Sequence, residues 1–223
     1  MKLGFIAMCA ILLIVSFPCL AECGSFLGDF FDKTFRDEAV KGDPEAQNYL
    51  GCKYLNGQGV PKDYKQAKEW FQKAAEKGYS EAQFNLGLMY CNGDGVPQDY
   101  KRALEWYQKA ADQDFIEAQY NLGHMYYNGD GVSQDFKRAL EWYQKAADQG
   151  QPGAQNNLGV MYDFGQGVPQ DFVKAHFWYN LAAASGLEKA QKNRDNVAKK
   201  MTPEQIAKAQ EMASEWMEKH PSK

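Results

Sequence analysis

The segment Arg-Ala-Leu-Glu-Trp-Tyr-Gln-Lys-Ala-Ala-Asp-Gln occupies residues 102–113 and occurs again, without change, at residues 138–149. The two copies begin 36 residues apart, and less similar copies continue the same period on both sides. A fixed period of this length is typical of repeat architectures, in which one supersecondary unit stacks on the next. The sequence therefore predicts a repeat protein of four units, at residues 43–78, 79–114, 115–150 and 151–186.

Each unit begins with a stretch in which alanine, leucine and tyrosine recur four residues apart, as in Ala118, Leu122 and Tyr126. This spacing places the three side chains in one stripe of an α-helix, here termed helix A. A turn with two glycines ends helix A, and a second helix, helix B, follows. Acidic or hydroxyl side chains are predicted to cap these helices; they are Asp43 and Ser80 for two A helices, and Asp63, Asp99, Asp135 and Asp171 for the B helices.

Small and large side chains alternate where the helices must pack. A glycine follows each leucine of helix A, and an Ala-Ala pair lies near the end of each helix B. Small residues let helices approach closely, so we expect large aromatic residues to fill the spaces between layers. The aromatic column predicted to do so is Trp70, Trp106, Trp142 and Trp178.

The full pattern is Ala-x3-Leu-Gly-x2-Tyr-x2-Gly-x-Gly-Val-x2-Asp-x3-Ala-x2-Trp-[Phe/Tyr]-x2-Ala-Ala, and it extends over residues 43–190. It resembles the Sel1-like repeat, a relative of the tetratricopeptide repeat. The resemblance implies an all-α fold, a right-handed α-α solenoid of four 36-residue helical hairpins. It also implies a scaffold that binds a protein or peptide partner and is not an enzyme. Three departures are local. Ser133 replaces the proline of the turn, Asp114 replaces a glycine at the end of helix B, and Leu181 stands in the fourth unit where Lys73 stands in the first.

The two ends of the chain predict elements that cover the repeats. Residues 26–42 match helix B alone, and residues 187–219 predict two further helices, the second beginning at Thr202-Pro203. Repeat arrays need such caps because an open apolar end would aggregate. We therefore expect capping helices at both ends of the array.

The first 21 residues predict a secretory signal peptide, with Lys2, an apolar run and small residues before Glu22. A retained membrane anchor is the alternative, although the run is short for the ~20 residues that a membrane span requires. Leu20-Ala21-Glu22-Cys23 also resembles a bacterial lipobox, in which Cys23 would be lipidated, but Glu22 departs from it. The predicted location is thus secreted or periplasmic, without a stable membrane span after cleavage.

The composition argues against several classes of function. Twenty-five basic and 29 acidic residues give a net charge of −4, which does not favour nucleic-acid binding. Three histidines and no ligand-spaced cluster predict no metal and no cofactor. Neither Gly-x-Ser-x-Gly nor Ser-x-x-Lys occurs, so no catalytic residue is predicted.

Cysteine leaves two alternatives open. After signal cleavage Cys23, Cys52 and Cys91 remain, and an oxidising compartment favours disulfides. Cys52 and Cys91 either form a disulfide between neighbouring A helices or remain as half-buried thiols. Some cysteine-rich Sel1-like relatives carry a β-lactamase or penicillin-binding label, which implies, as the alternative function, a weak β-lactamase-like or peptidoglycan-related activity. Those relatives have a cysteine pair in each repeat, which this sequence lacks.

A partner site is predicted where the units differ from one another on helix A. In tetratricopeptide-like stacks helix A lines the concave surface, and apolar and aromatic residues concentrate there in the middle units. The predicted groove residues are Phe84, Leu88, Tyr120, His124, Tyr127 and Asn156. They would hold a peptide segment, or possible cell-wall components, with aromatic anchors supplying much of the affinity. The alternative is that some of them pack against the adjacent unit.

Overall fold

The structure is a computed structural model that describes residues 33–220. The predicted signal peptide, Cys23 and the first residues of the predicted N-terminal cap lie outside the described residues, as do residues 221–223. Between residues 33 and 220 every regular element is helical and no strand occurs. The predicted all-α class is confirmed.

A helical segment at residues 33–41 precedes ten helices. The helices are α1 (Pro44–Asn56), α2 (Tyr64–Glu76), α3 (Ser80–Asn92), α4 (Tyr100–Ala111), α5 (Ile116–Asn128), α6 (Phe136–Asp148), α7 (Pro152–Phe164), α8 (Phe172–Ala184), α9 (Glu188–Ala198) and α10 (Pro203–Lys219). The odd-numbered helices from α1 to α7 are the A helices, and the even-numbered helices from α2 to α8 are the B helices. Four tandem helical hairpins therefore occupy the repeat segment, as the 36-residue period predicts.

The caps of the A helices follow the sequence only in part. The Asp43 carboxylate accepts a hydrogen bond from the Ala46 amide at 2.8 Å, with Pro44 in the first turn. The prediction for Ser80 is wrong, because Ser80 is already the first residue of α3 and Tyr79 holds the cap position. Tyr79 is extended and its side chain makes no cap hydrogen bond. The predicted caps of the B helices are confirmed; these are Asp63, Asp99, Asp135 and Asp171.

A left-handed residue follows the end of helix B in every unit. Gly150 has φ of 85°, and Asp114, which replaces glycine at the same position of the second unit, has φ of 61°. Aspartate is one of the few non-glycine residues that enter this region readily. The substitution noted in the sequence therefore leaves the turn into the next A helix unchanged.

The close contact inside each hairpin joins the glycine of helix A to the aromatic residue that follows the tryptophan of helix B. A Cβ placed on Gly123 would lie 2.5 Å from Cδ1 of the Tyr143 ring. Gly51 with Phe71, Gly87 with Tyr107, and Gly159 with Tyr179 repeat this arrangement. Trp106 and Trp142 are only half-buried, so the prediction that the tryptophan column is the main filler needs correction. The ring that packs against the glycine belongs to the residue directly after each tryptophan.

The chain divides into two compact units, Met1–Ala74 and Ala75–Lys223. In the first, the helical segment 33–41 packs on α1 through Ala39, Ala46 and Leu50. The rings of Phe35 and Tyr49 lie 4.5 Å apart beside this cluster. The first unit thus contains one hairpin covered by a preceding helix.

In the second unit, three hairpins pack in succession and are followed by α9 and α10. One apolar cluster joins α4 to α5, and another continues from α6 through α7 to α8. Ala209 and Ala213 of α10 are fully buried within the second cluster, near Leu181 of α8. The C-terminal helices therefore share the core of the last hairpin.

Candidate functional site

The six predicted groove residues all lie in the second unit, on three successive A helices. Phe84 and Leu88 are on α3, Asn156 is on α7, and α5 carries the remaining three, Tyr120, His124 and Tyr127. Spacings of four and seven residues place the side chains of one helix on one face. The structure thus brings them onto corresponding faces of neighbouring helices.

The aromatic members are half-buried and lie against rings of the B helices. The ring of Phe84 lies 5.7 Å from that of Tyr107, and the ring of Tyr120 lies 5.9 Å from that of Tyr143. Tilted pairs at these separations contribute attraction beyond the burial of area. The aromatic rings therefore have fixed positions and keep a partly exposed surface.

Tyr127 joins two successive repeats. Its hydroxyl donates a hydrogen bond of 2.9 Å to Oε1 of Gln166, in the loop of the next hairpin. Its ring also meets the Phe136 ring edge-on, with centroids 5.3 Å apart. Tyr127 consequently holds the register between hairpins as well as lining the face. The predicted alternative, packing against the adjacent unit, therefore describes part of the outcome. It holds for Phe84 as well, whose ring lies 5.2 Å from the Phe115 ring of the next unit.

His124 is exposed, and its surroundings are polar. Nδ1 lies 4.0 Å from Oδ2 of Asp130, and the Asn128 amide lies 3.1 Å from the same ring nitrogen. These groups belong to α5 and the loop that follows it. His124 is therefore a polar, accessible position in the middle of an otherwise aromatic face.

Asn156 is not exposed, contrary to the expectation that its column faces the partner. Its side chain is 3% exposed, and its Oδ1 accepts a hydrogen bond from Nδ2 of Asn193 at 3.0 Å. Asn193 lies on α9, which follows the last hairpin at the place where a further A helix would begin. The C-terminal helix therefore covers the end of the predicted groove.

A column of asparagines on three A helices and on α9 was not among the predicted site residues. Asn85, Asn121, Asn157 and Asn193 recur every 36 residues, and the first three directly precede the Leu-Gly pair. Burial raises the pKa of Tyr143, and a hydrogen bond to Asn157 opposes that shift. The asparagine spacing in the sequence would have been enough to find this column.

An ion pair borders the face at its C-terminal end. Nζ of Lys200 lies 2.8 Å from Oδ1 of Asp163, whose side chain is nearly buried. The same ammonium lies 5.2 Å from the centroid of the Phe172 ring. Lys200 follows α9, so the C-terminal segment closes this end with charge as well as with Asn193.

The chemistry of the buried groups does not favour nucleophilic catalysis. Burial raises the pKa values of Tyr107, Tyr143 and Tyr179, which keeps these hydroxyls neutral. Burial also raises the pKa of the Cys91 thiol, so the reactive thiolate is disfavoured. Among residues 33–220, no group of three or more His, Cys, Asp or Glu side chains could hold a metal ion.

Cys52 and Cys91 are both half-buried. Cys52 belongs to the first compact unit and Cys91 to the second. The disulfide between them stays a prediction. None of the helices between residues 33 and 220 combines the length and the apolar character that a membrane crossing requires.

Four consecutive segments of the chain match the family model described as the Sel1 repeat, at residues 44–79, 80–115, 116–151 and 152–187. Each boundary lies one residue after the predicted one. No functionally curated protein shows significant similarity to the chain.

Two solved structures are similar in both sequence and fold. A Sel1 repeat protein from Oxalobacter formigenes is 38% identical with a TM-score of 0.68, and the alignment covers 71% of this chain and 65% of that one. A protective antigen present in uropathogenic Escherichia coli strains, which displays an SLR fold, is 30% identical with a TM-score of 0.57. That alignment covers 84% of this chain and 48% of the antigen. The chain thus spans less than two thirds of either relative.

Proposed function

The chain belongs to the Sel1 repeat family, and from this premise we propose that it is an exported, non-catalytic scaffold that binds a peptide or protein partner. Sel1 repeats generally mediate protein-protein interaction. The proposed contact surface is the face formed by Phe84, Leu88, Tyr120, His124 and Tyr127 on α3 and α5. Asn156 is left out of the contact surface because α9 covers it.

The observation that carries the proposal is the pair of half-exposed rings at the same position of two successive A helices. Phe84 and Tyr120 are 36 residues apart, and each packs on a buried tyrosine of its own hairpin. Aromatic side chains that are already fixed lose little conformational freedom on binding, and such residues dominate interface energies. Two fixed anchors in tandem favour an extended or helical peptide segment as the ligand.

The export part of the proposal rests on the predicted signal peptide at residues 1–21. Mass spectrometry of the protein purified from its native host tests it. We expect a mature chain that begins at Glu22, whereas a lipidated chain would begin at Cys23. An intact N-terminus at Met1 would contradict export through this signal.

Photo-crosslinking identifies the partner. A photoreactive amino acid at the exposed His124 position should capture it in native cells, and the same group at Lys137, exposed on α6, is the control. A synthetic peptide from the captured region is then titrated against purified variants. Sedimentation with isolated sacculi separates a protein partner from cell-wall material.

Phe84→Ala and Tyr120→Ala should each weaken binding of that peptide about tenfold, the effect of losing an aromatic anchor. Tyr100→Ala is the control, since Tyr100 is an exposed aromatic residue at the start of helix α4, outside the proposed surface. Circular dichroism checks that each variant remains folded. The proposed surface is rejected when both groove variants bind the peptide as tightly as the wild type does.

A further inference from the structure

A column of buried glutamines near the start of the A helices of the second unit makes the same backbone contact in each repeat. Gln83, Gln119 and Gln155 are 5%, 0% and 1% exposed. The amide nitrogen of each donates to a backbone carbonyl eight residues earlier, at Ala75, Ala111 and Ala147, over 3.2, 3.5 and 3.2 Å. Each of these carbonyls lies at the end of a B helix and also accepts a backbone N–H from the residue three positions later.

The amide oxygens of the first two glutamines are paired as well. Gln113 donates to Oε1 of Gln83 at 2.8 Å, and Gln149 donates to Oε1 of Gln119 at 2.9 Å. Each donor lies 30 residues after its acceptor, at the end of the helix B that follows. In these two hairpins, the side-chain oxygen of the buried glutamine is therefore paired with the primary carboxamide of another glutamine.

The last hairpin breaks the pattern. Ser185 occupies the place of Gln113 and Gln149, and its hydroxyl donates to the Leu181 carbonyl of its own helix at 3.4 Å. Oε1 of Gln155 is buried and has no hydrogen-bond donor. An unpaired buried acceptor is unfavourable, so an N–H group that donated a hydrogen bond to this oxygen would be stabilising.

A cavity of about 820 Å³ lies at this point of the second unit. Gln155 and Ser185 both line it, together with Leu181 of α8 and Trp216, Met217 and His220 at the end of the chain. The rings of Trp216 and His220 stack with centroids 4.2 Å apart. Asp148, Gln149 and Gly150 also line it, so the cavity combines an apolar wall with a polar turn and with the place from which a glutamine donor is missing.

We propose that this cavity binds the side-chain carboxamide of a glutamine residue in a partner peptide. The ligand amide would donate to Oε1 of Gln155, and its methylene groups would pack on Leu181 and Trp216. The contact would reproduce the pairs of Gln113 with Gln83 and of Gln149 with Gln119. A carboxylate has no proton to donate at neutral pH, so glutamate is rejected at the same position.

This site is distinct from the groove on α3 and α5. It lies at the short turns that lead from helix B to the next helix A. Its lining comes from α6, α7, α8 and α10, with Ile116 at the start of α5, which is not one of the groove residues of that helix. Groove variants such as Phe84→Ala should therefore leave it unchanged.

NMR titration of the isotope-labelled mature protein tests the proposal, with N-acetyl-L-glutamine methylamide as the probe. We expect a saturable shift of the Trp216 indole signal, assigned through a Trp216→Phe variant. A dissociation constant of about 1 mM is expected for a fragment this small. N-acetyl-L-glutamate methylamide, which is nearly the same in shape, should bind at least about tenfold more weakly.

Ser185→Gln supplies the missing donor from within the chain. It should abolish probe binding and raise the melting temperature, whereas the control Ser185→Ala should keep the site open and bind the probe. Three results would overturn the proposal: no saturable shift with the glutamine probe, equal binding of both probes, or unchanged binding by Ser185→Gln. The two-probe comparison uses the wild type alone, so it does not depend on the folding of any variant.

Discussion

The two middle hairpins and the last hairpin of the chain share one repeat pattern but differ where the last one meets α9 and α10. Gln149 of the third hairpin corresponds to Ser185, Leu140 corresponds to His176, and Lys145 corresponds to Leu181. In the middle of the array, Gln149 donates to a glutamine on helix A of its own hairpin, Leu140 packs against the core, and Lys145 is exposed over the Trp142 ring. In the last hairpin, the three corresponding positions meet a C-terminal helix or a cavity. The residue type at these positions therefore depends more on what packs against the hairpin than on the hairpin itself.

What the two regions keep in common lies inside each hairpin. The contact of Gly123 with Tyr143 recurs as that of Gly159 with Tyr179, and the nearest ring atom would be 2.5 Å from an added Cβ in both. Neither contact involves the following unit. We therefore expect the glycine of this contact to be required equally in the third hairpin and in the last one.

Gly123→Ala and Gly159→Ala should each reduce the free energy of unfolding by about 3 kcal/mol, since both rings are sealed in the core and the backbone must shift. Urea denaturation followed by circular dichroism measures both variants. Equal losses of unfolding free energy would show that this internal contact is equally important in both hairpins. A much smaller loss for Gly159→Ala would show that the last hairpin packs more loosely, and the internal contact would then not be a shared requirement.

Gly150→Ala is the control for the effect of an added methyl group. No atom lies within 4 Å of a Cβ at this position, but φ is +85°. Its cost of about 1 to 2 kcal/mol arises from the left-handed backbone alone. A loss as large as that of Gly123→Ala would mean that steric exclusion by the tyrosine is not the cause.

The repeat pattern was sufficient to predict the helices, the aspartate caps and the order of the hairpins. Each of these depends on residues close in sequence, so one unit carries the whole signal. The pattern could not show which of two adjacent aromatic residues, such as Trp142 and Tyr143, packs against the glycine, because both fit an apolar stripe. Side chains of adjacent residues point to different sides of helix B, and this direction decides which of the two rings contacts the glycine.

The placement of the predicted groove residues followed from the repeat in the middle of the array but not at its end. Phe84 and Tyr120 lie on A helices inside the array, where the repeat period fixes their surroundings. Asn156 lies under α9, a helix outside the repeat, and no periodicity predicts where such a helix docks. The orphaned oxygen of Gln155 likewise became visible only when its neighbours were compared in space.

His176 offers a second test of the comparison, because leucine occupies its position in the two middle hairpins. The side chain is 3% exposed, and its Nδ1 has no hydrogen-bond partner. Replacing it with leucine removes a buried unpaired group, so His176→Leu should raise the free energy of unfolding at pH 7 by about 1 kcal/mol. Urea denaturation measures the change.

The difference between the variant and the wild type should grow as the pH falls. Burial lowers the pKa of His176 from its ordinary value of 6.5, the nearby Arg194 lowers it further, and Asp195 opposes the shift. The unfolded chain therefore binds a proton more readily than the folded one below pH 6.5, and wild-type stability decreases there until the folded pKa is passed. A pH-independent difference between the two proteins would refute this role of His176.

The smallest expected effect concerns the tryptophan column. In the third hairpin, Nζ of Lys145 lies 4.0 Å from the centroid of the half-exposed Trp142 ring. In the last hairpin, leucine replaces this lysine, and the Trp178 ring is buried and packs edge-on against Phe177 at 4.7 Å. A cation thus covers the ring where solvent reaches it, and apolar groups cover it where the C-terminal helices exclude solvent.

Lys145→Met keeps the aliphatic stem over Trp142 but removes the charge, so it should lower the free energy of unfolding by about 0.5 kcal/mol. Lys137→Met, at another exposed lysine of α6, is the matched control and should change stability less. The measurement is the shift of the urea midpoint at constant m. Equal effects of the two substitutions would mean that the ammonium contributes nothing over the ring. The replacement of lysine by leucine in the last hairpin would then reflect burial by α10 alone.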